Sequence, residues 1–419
     1  MLAKRAVKSR TSRIPPVLSD GTALSDLIDL ENREISMRVL SDPEVYRLEL
    51  RKIFARTWIP LGHVSEVPNP GDFVQRYIGE DRVIVTRGND GGVHALLNVC
   101  AHRGMEVCWA DEGSASSFRC PYHGWVFGLD GRLLGAAYEK KAYGELDKAR
   151  YGLRKARVSL RKGVIFGNFA EDGPSLDEYL GDLAWYFDRS FEGAEEYEVL
   201  TPPARLILKA NWKTIADQNA GDLYHIAGAH KAVIELGFMP NVDSQLDVVK
   251  VGFPGLGHNV FGINPELAFL PEGTGMTDEQ KYGFDGKSFI NFIFPITQAG
   301  GMKGQFVQLS AFTPKGPAAF EVNQLSLCKK DLPDEIKATI RRQNMITVAL
   351  LQDDADSVQS IQRAATGAVG QTRTMKYNAL LGEKKPAGWP GPGTVYAGFS
   401  RDDTNWEFWL RWYDLLSSE

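Results

Sequence analysis

Histidine and cysteine are both scarce in this chain, seven and four among 419 residues. Four cysteines cannot build a disulfide framework; Cys100, Cys108, Cys120 and Cys328 instead suggest a reducing compartment where thiols are packed or kept for metals. An excess of positive charge is also missing. A net charge of −5 argues against a nucleic-acid surface, because backbone binding needs a concentrated basic patch. No run approaches the ~18 apolar residues of a membrane helix. The one basic concentration, Lys4, Arg5, Lys8, Arg10 and Arg13 with no acid before Asp20, lacks the apolar stretch of a secretory signal. It reads as a flexible arm on a cytoplasmic protein. The 43% hydrophobic and 24% charged content is that of an ordinary globular protein, and the length implies two or three folding units.

The chain changes character twice. Pro43 to Trp58 carries Val45, Leu48, Leu50, Ile53 and Phe54 at roughly helical spacing, which predicts a helix. From Trp58 to about Phe169, short β-rich pieces such as Val83-Ile84-Val85 and Val164-Ile165-Phe166 alternate with Gly, Asn and Asp turns, the pattern of a small all-β domain. Ser175 to Phe191 and Asn211 to Val233 read as mainly helical. Ser288 to Pro295, Gln305 to Phe312 and Ala319 to Cys328 read as antiparallel strands. Asp331-Leu-Pro-Asp-Glu offers a capped helix start with acidic first-turn residues, and that helix runs past Ile361. Asn405 to Leu415 closes the chain as a last helix.

Two of the rare residue types cluster. Cys100-Ala-His102 and Cys120-Pro-Tyr-His123 form a C-x-H…C-x2-H pattern, each half followed by a glycine, Gly104 and Gly124. Two thiols and two imidazoles can hold one tetrahedral zinc or a two-iron, two-sulfide cluster. A C-x-H opening is unusual for zinc fingers, whose paired ligands are spaced C-x2-4-C and H-x3-5-H. Cys108 and Cys328 match no motif position and read as packed thiols; His63, His94 and His258 have no partner in sequence and read as structural.

The second cluster is His225 and His230. Five residues apart, they are separated by about 140° on an ideal helix. If both bind one metal the helix must end or bulge between them, and Gly228 is where that departure is cheapest. A carboxylate answers them from far along the chain. Thr347, Leu351, Asp354, Val358 and Ile361 are spaced 4-3-4-3 and share one helical face, so Asp354 sits inside an apolar stripe from which Asp353 and Asp356 point away. A buried carboxylate must be paired or bound to a cation. Two histidines and one carboxylate with open positions make the facial triad of non-heme Fe(II) oxygenases.

Taken together, Cys100-Ala-His102-Arg103-Gly104, Cys120-Pro-Tyr-His123-Gly124-Trp125 and Gly221-Asp222-Leu-Tyr224-His225 resemble the large (alpha) subunit of Rieske ring-hydroxylating oxygenases, in its naphthalene- and biphenyl-dioxygenase branch. The resemblance spans about Trp58 to the C-terminus. It implies an α+β protein in which a small all-β Rieske [2Fe–2S] domain precedes a catalytic domain of antiparallel sheet and packed helices, helix-grip-like. The implied division is 1–57, an arm and helix belonging to the catalytic domain; 58–170, the Rieske domain; and 171–419, the mononuclear iron domain. It implies Cys100, His102, Cys120 and His123 as cluster ligands and His225, His230 and Asp354 as iron ligands. Asp222 becomes a bridging acid that hydrogen-bonds His225 and, across a subunit boundary, His123. Asp217-Gln218 replaces the family's more frequent Glu-Asn or Glu-Gln. Gln218 and Leu350, each four residues before a site residue, are expected to line the pocket. The implied reaction inserts O2 into an aromatic ring to give a cis-dihydrodiol, with electrons from a ferredoxin or reductase in an NADH-dependent chain. A trimer of large subunits with a small (beta) partner, α3β3 or α3, is the implied assembly. The alternatives are a Rieske monooxygenase or demethylase and, from another class, a non-catalytic Rieske electron carrier.

Overall fold

The computed structural model describes residues 16–200, 203–235, 249–263, 288–302, 306–378, 391–397 and 400–418. Two antiparallel sheets organise them. The first has seven strands, β1 (Ile59–His63), β2 (Asp72–Ile78), β3 (Asp81–Arg87), β4 (Val93–Leu97), β5 (Glu112–Ser114), β6 (Lys155–Arg161) and β7 (Val164–Asn168), in the order β1-β7-β6-β4-β3-β2-β5. A three-stranded sheet of Phe118–Arg119, Val126–Phe127 and Leu133–Gly135 lies within the long excursion between β5 and β6. Its apolar core is separate, built from Ile84, Leu96, Phe118, Trp125, Phe127 and Leu133 around Cys100 and Cys120.

The second sheet contains β8 (Tyr197–Val199), β9 (Ala204–Leu208), β10 (Val249–Phe253), β11 (His258–Ile263), β12 (Ser288–Ile293), β13 (Thr297–Met302), β14 (Phe306–Pro314), β15 (Phe320–Lys329) and β16 (Thr394–Ala397). Its order is β8-β15-β14-β13-β12-β11-β10-β16, with β9 also paired to β15. Residues alternate between its two faces, as the period of a strand requires. Val260, Ile293, Ala299, Leu309, Leu325 and Leu327 pack on one side against the helices Leu176–Leu180 and Leu183–Ser190. On the other side Phe292, Phe294, Phe312, Phe320 and Val322 join a core with helices α1 (Trp212–Asn219), α2 (Asp334–Thr366) and α3 (Asp403–Ser417). The expected combination of a small all-β unit and an antiparallel sheet with packed helices is what the chain forms.

The N-terminal helix is shorter than its apolar spacing predicts. Asp42 accepts hydrogen bonds from the Glu44 and Val45 amides and Pro43 opens the first turn, but the α-helix ends at Glu49. A wider turn follows over Leu50–Phe54, where the Ala55 amide reaches the Leu50 carbonyl at 3.1 Å. Trp58 is not helical and immediately precedes β1. The rotated turn buries Glu49 completely, along with Val45, Ile53 and Phe54, while Leu48 and Leu50 are only partly covered. Glu49 meets Lys213 of α1 at 2.6 Å, both side chains fully buried, and accepts indole N–H bonds from Trp212 and Trp412 at 2.8 Å each. Residues 34–36 pair with 374–376, so the segment before the first sheet is tied, in a small three-stranded sheet of its own, to the chain that follows α2.

Two helical expectations shift. Ser175 to Phe191 is broken at Gly181, whose φ is +51°. The Asp331 cap does not form: α2 starts at Asp334 behind Pro333, without a side-chain cap, and extends to Thr366. The long strands and the final helix lie where the alternation and aromatic content place them, within one or two residues.

Candidate active site

The two cysteine–histidine loops are built alike. The Cys100 amide donates to Met105 O and the Gly104 amide to Cys100 O; the Cys120 amide donates to Trp125 O and the Gly124 amide to Cys120 O, all between 2.7 and 3.1 Å. Both turns need a left-handed residue, supplied by Gly104 at φ +76° and Gly124 at +68°. Both thiols are buried and neither is in a disulfide. They lie near enough to share a hydrogen bond, and burial together with Cys120 pushes the Cys100 thiol up. The imidazoles are on the outer side, with His102 and His123 ring centroids 4.6 Å apart. His102 stacks on Trp125 and its Nε2 meets the Tyr143 hydroxyl at 3.4 Å. Among the described residues its Nδ1 is buried without a hydrogen-bond partner, which suits a nitrogen that ligates metal.

The second centre is assembled from α1, the turn after it, and α2. Asn211 caps α1 by accepting from the Lys213 amide. The helix stops at Gly221, whose φ is +119°. A Cβ there would sit 2.2 Å from Thr404 Oγ1. The chain turns and a short helix, Ile226–Ala229, carries His225 at its start and His230 at its end. Gly228, the expected site of departure, is helical. The break falls at Gly221 because a residue there must combine positive φ with close approach to α3. Gly221→Ala is expected to cost about 1–3 kcal/mol of backbone strain and to lower any metal retained by His225 and His230, measured by metal analysis. Pairing it with Thr404→Ala should restore only part of that loss, since the positive φ remains.

Asp354 reaches the histidines from α2. His230 Nε2 is 3.2 Å and His225 Nε2 3.5 Å from Asp354 Oδ1. One ligand atom from each of the three lies within 4.8 Å of the others. His225 Nδ1 meets the Asp222 backbone carbonyl at 2.6 Å, which leaves Nε2 to face Asp354. The Asp222 carboxylate accepts from the His225 backbone N–H at 3.1 Å and stands 3.7 Å from its Nδ1. Thus the acid positions this imidazole chiefly through main chain. Burial opposes charge at this centre, but the histidines hold Asp354 far below the usual carboxylate range. Reciprocally, and against burial, Asp222 and Asp354 lift His225 to about 9. Three donor atoms converging in a buried, acid-rich site fit a divalent metal.

Gln218 belongs to this centre. Its Nε2 donates to Asp354 Oδ1 at 2.6 Å and is 3.2 Å from His225 Nε2. Leu350 lies in a stretch of α2 whose side chains are outside the described residues. Asp354 and Val358 are buried as the stripe requires and Asp356 is exposed, whereas Ile361 is 40% exposed and Gln362 takes its place. A straight helix turns every 3.6 residues, so a stripe counted at 3.5 drifts off its face. Sequence reasoning also missed two supports. Asp217, next to Gln218, receives the Tyr377 hydroxyl at 2.6 Å and the Trp409 indole at 3.1 Å; burial pushes it up to about 7. Lys250, fully buried, donates to Arg401 O and adds a positive charge that favours ionised Asp222. Neither has a spacing signal, because every partner is remote in sequence. Cys328, His63 and His258 are packed structural groups, and His94 pairs with Asp90 at 3.3 Å.

Residues 57–148 match the Rieske [2Fe-2S] domain family, and residues 176–386 match the ring hydroxylating alpha subunit (catalytic domain). The chain belongs to the ring-hydroxylating alpha subunits. It is 32% identical to the N,N-dimethyl phenylurea N-demethylase subunit alpha of Sphingobium sp. (strain YBL2), covering 96% of each chain. It is 29% identical to the biphenyl 2,3-dioxygenase subunit alpha of Rhodococcus jostii (strain RHA1), over 94% of this chain and 91% of that one. Among solved structures it resembles naphthalene 1,2-dioxygenase from Rhodococcus sp. bound to indole, with TM-score 0.81, 33% identity, and coverage of 92% and 95%. As a ring-hydroxylating alpha subunit it is an oxygenase, with a Rieske [2Fe–2S] cluster and a mononuclear non-heme iron as its cofactors. The two groups of side chains described above have the donor types that these cofactors take. Among the described residues no helix is long and apolar enough to cross a membrane.

Proposed function

We propose that this alpha subunit is the oxygenase component of an aromatic ring-hydroxylating dioxygenase, with a cis-dihydrodiol as product. The observation that carries the reading is the convergence of His225, His230 and Asp354 within 4.8 Å in a chain that also presents the paired Cys–His loops. Cys100, His102, Cys120 and His123 would hold the cluster; His225, His230 and Asp354 would hold the iron. When bound, these groups supply electron transfer and O2 activation. The chain's own contribution is orientation. The Asp222 carbonyl fixes the His225 tautomer, and Gln218 orients the Asp354 carboxylate. The domain division is 1–57 and 171–419 for the catalytic part and 58–170 for the Rieske part.

The substrate class rests on relatives that include biphenyl and benzene dioxygenase alpha subunits. The partners are O2, a ferredoxin or reductase, a small beta subunit and two further copies of this chain, in the cytoplasm. Room for a neighbouring subunit is consistent with the exposure of Tyr122 beside His123 and Tyr224 beside His225, 58% and 62%. Across that boundary Asp222 links His225 to His123. Asp222→Asn is expected to lower coupled turnover by about 10- to 100-fold while iron content and cluster absorption stay unchanged; turnover near wild type would remove the bridge.

Labelled O2 tests the reaction itself. Two labelled atoms in one ring product support a dioxygenase. One labelled atom, or loss of a methyl group, supports the monooxygenase or demethylase reading, which the phenylurea demethylase relative favours. A chain that reduces its cluster but incorporates no oxygen into any arene is an electron carrier.

A further inference from the structure

The face of the large sheet that packs on α1, α2 and α3 is not uniformly apolar. Phe320 and Val322 of β15 and Phe312 of β14 point into the core shared with Trp212, Ile215, Ala355 and Val358. Two residues further along each strand the same face carries Gln324 and Ser310, directly paired across the ladder. Both are buried, and the Ser310 hydroxyl lies 3.4 Å from Gln324 Oε1. Among the described residues Gln324 Nε2 is buried with no hydrogen-bond partner. The next position in the same row, Gln298 of β13, is paired with Ser310 and only partly buried.

The position of this polar pair along the helix–sheet interface is fixed at both ends of α2. Near one end, Gln362 Oε1 accepts from the Asn211 amide at 2.7 Å, just after Leu208 pairs with Phe320. Near the other, Ile340 packs on Cys328 and Leu200. Helix and strand therefore run side by side in opposite chain directions. Asp354 stands about 12 Å along the helix from Gln362 at 1.5 Å per residue. Gln324 stands about 13 Å along the strand from Phe320 at 3.3 Å per residue. Asn211 lies three residues beyond Leu208, and the Lys209 amide donates to Gln359 Oε1 at 3.2 Å, so Phe320 is level with about Gln359. The polar pair on the sheet therefore stands roughly 6 Å farther along the helix–sheet interface than Asp354 on the helix that covers it.

A buried amide N–H left without an acceptor costs stability, and native interiors rarely leave one unmet. We propose that Gln324 Nε2 is a substrate-recognition donor, with Ser310 holding its amide in place. The substrate is then an arene bearing a carbonyl-type hydrogen-bond acceptor, such as an anilide, rather than a plain hydrocarbon. A hydrocarbon would leave the amide unmet, whereas a carbonyl oxygen completes it and sets which part of the ring meets the triad. This rests on the reading of His225, His230 and Asp354 as the iron site.

The test uses the complete, iron-loaded enzyme and two probes of matched shape, acetanilide and isobutylbenzene. Affinity is measured by calorimetry without turnover, and oxidation is measured separately with the electron donors present. Acetanilide is expected to bind at least about 10-fold more tightly to the wild type. Gln324→Leu should shrink that ratio by about 10- to 100-fold, and Ser310→Ala should shrink it less. Equal affinity for the two probes, or a Gln324→Leu variant that weakens both alike, overturns the proposal and leaves Gln324 to a water molecule. If Gln324→Leu does not fold, judged by its cluster spectrum, the wild-type ratio and Ser310→Ala decide. Failure of the oxygenase reading looks different: an affinity ratio persists, but neither probe is oxidised.

Discussion

Replacing Asp354 with asparagine is expected to remove the mononuclear iron from each chain while leaving the Rieske cluster intact. Iron analysis should fall from about three to about two atoms per chain, with the cluster's visible and paramagnetic spectra unchanged. Coupled turnover should drop by more than about 100-fold, beyond the loss typical of a residue that only orients a ligand. The substitution keeps the size of the side chain and removes its charge. That charge is what His225 and His230 face at 3.5 and 3.2 Å. In wild type, histidines and carboxylate balance one another around the position a cation would take. In the variant, two imidazoles remain beside a neutral amide, and a divalent ion gains little there. Retention of three irons with more than half the activity would mean that the carboxylate ligand is another residue.

The second large effect is on stability. Lys213→Met is expected to lower the free energy of unfolding by about 3–5 kcal/mol, read from the denaturant midpoint with tryptophan fluorescence. Lys213 and Glu49 are fully buried and 2.6 Å apart. Burial pushes the Lys213 ammonium down, and Glu49 opposes that shift. Removing the cation strands a carboxylate that the Trp212 and Trp412 indoles satisfy only in part. Adding Glu49→Leu to the same chain should recover some of the loss, because the desolvated charge is then gone as well. A single-variant cost below about 1 kcal/mol would show that the pair is hydrated in solution.

The Rieske loops were the most legible part of the chain, since their two cysteines and two histidines fall within Cys100 to His123 and each loop closes on itself through Gly104 or Gly124. The convergence of His225, His230 and Asp354 was legible for a different reason. Asp354 is an acid at an apolar helical position, and only a partner elsewhere can justify that. The same logic misplaced the details. Ile361 left the stripe because the true helical period carries burial to Gln362, and Gly228 was named as the point of departure while the turn at Gly221 went unseen, because the contact that requires a glycine there, Thr404, lies on α3. Glu49 was illegible: on a helix of alternating charge a buried acid looks like its exposed neighbours, and Lys213 is 164 residues away. Lys250 and Asp217 were hidden likewise, behind partners on α3 and the segment before it.

Glu49 also bears on the order in which the chain can mature. Its indole partner Trp412 is separated from it by 363 residues, so the second charge-stabilising donor is the last to be synthesised. At typical translation rates of 5–20 residues per second, that is roughly 20–70 s of waiting. Meanwhile the seven-stranded sheet, contained between Ile59 and Asn168, has all its strands in hand and can close first. The segment around Glu49 is therefore among the last to dock although it precedes the seven-stranded sheet, and the catalytic half cannot be completed until α3 arrives. C-terminal truncation before Trp412 should accordingly yield a chain with a coloured cluster and an unfinished catalytic half.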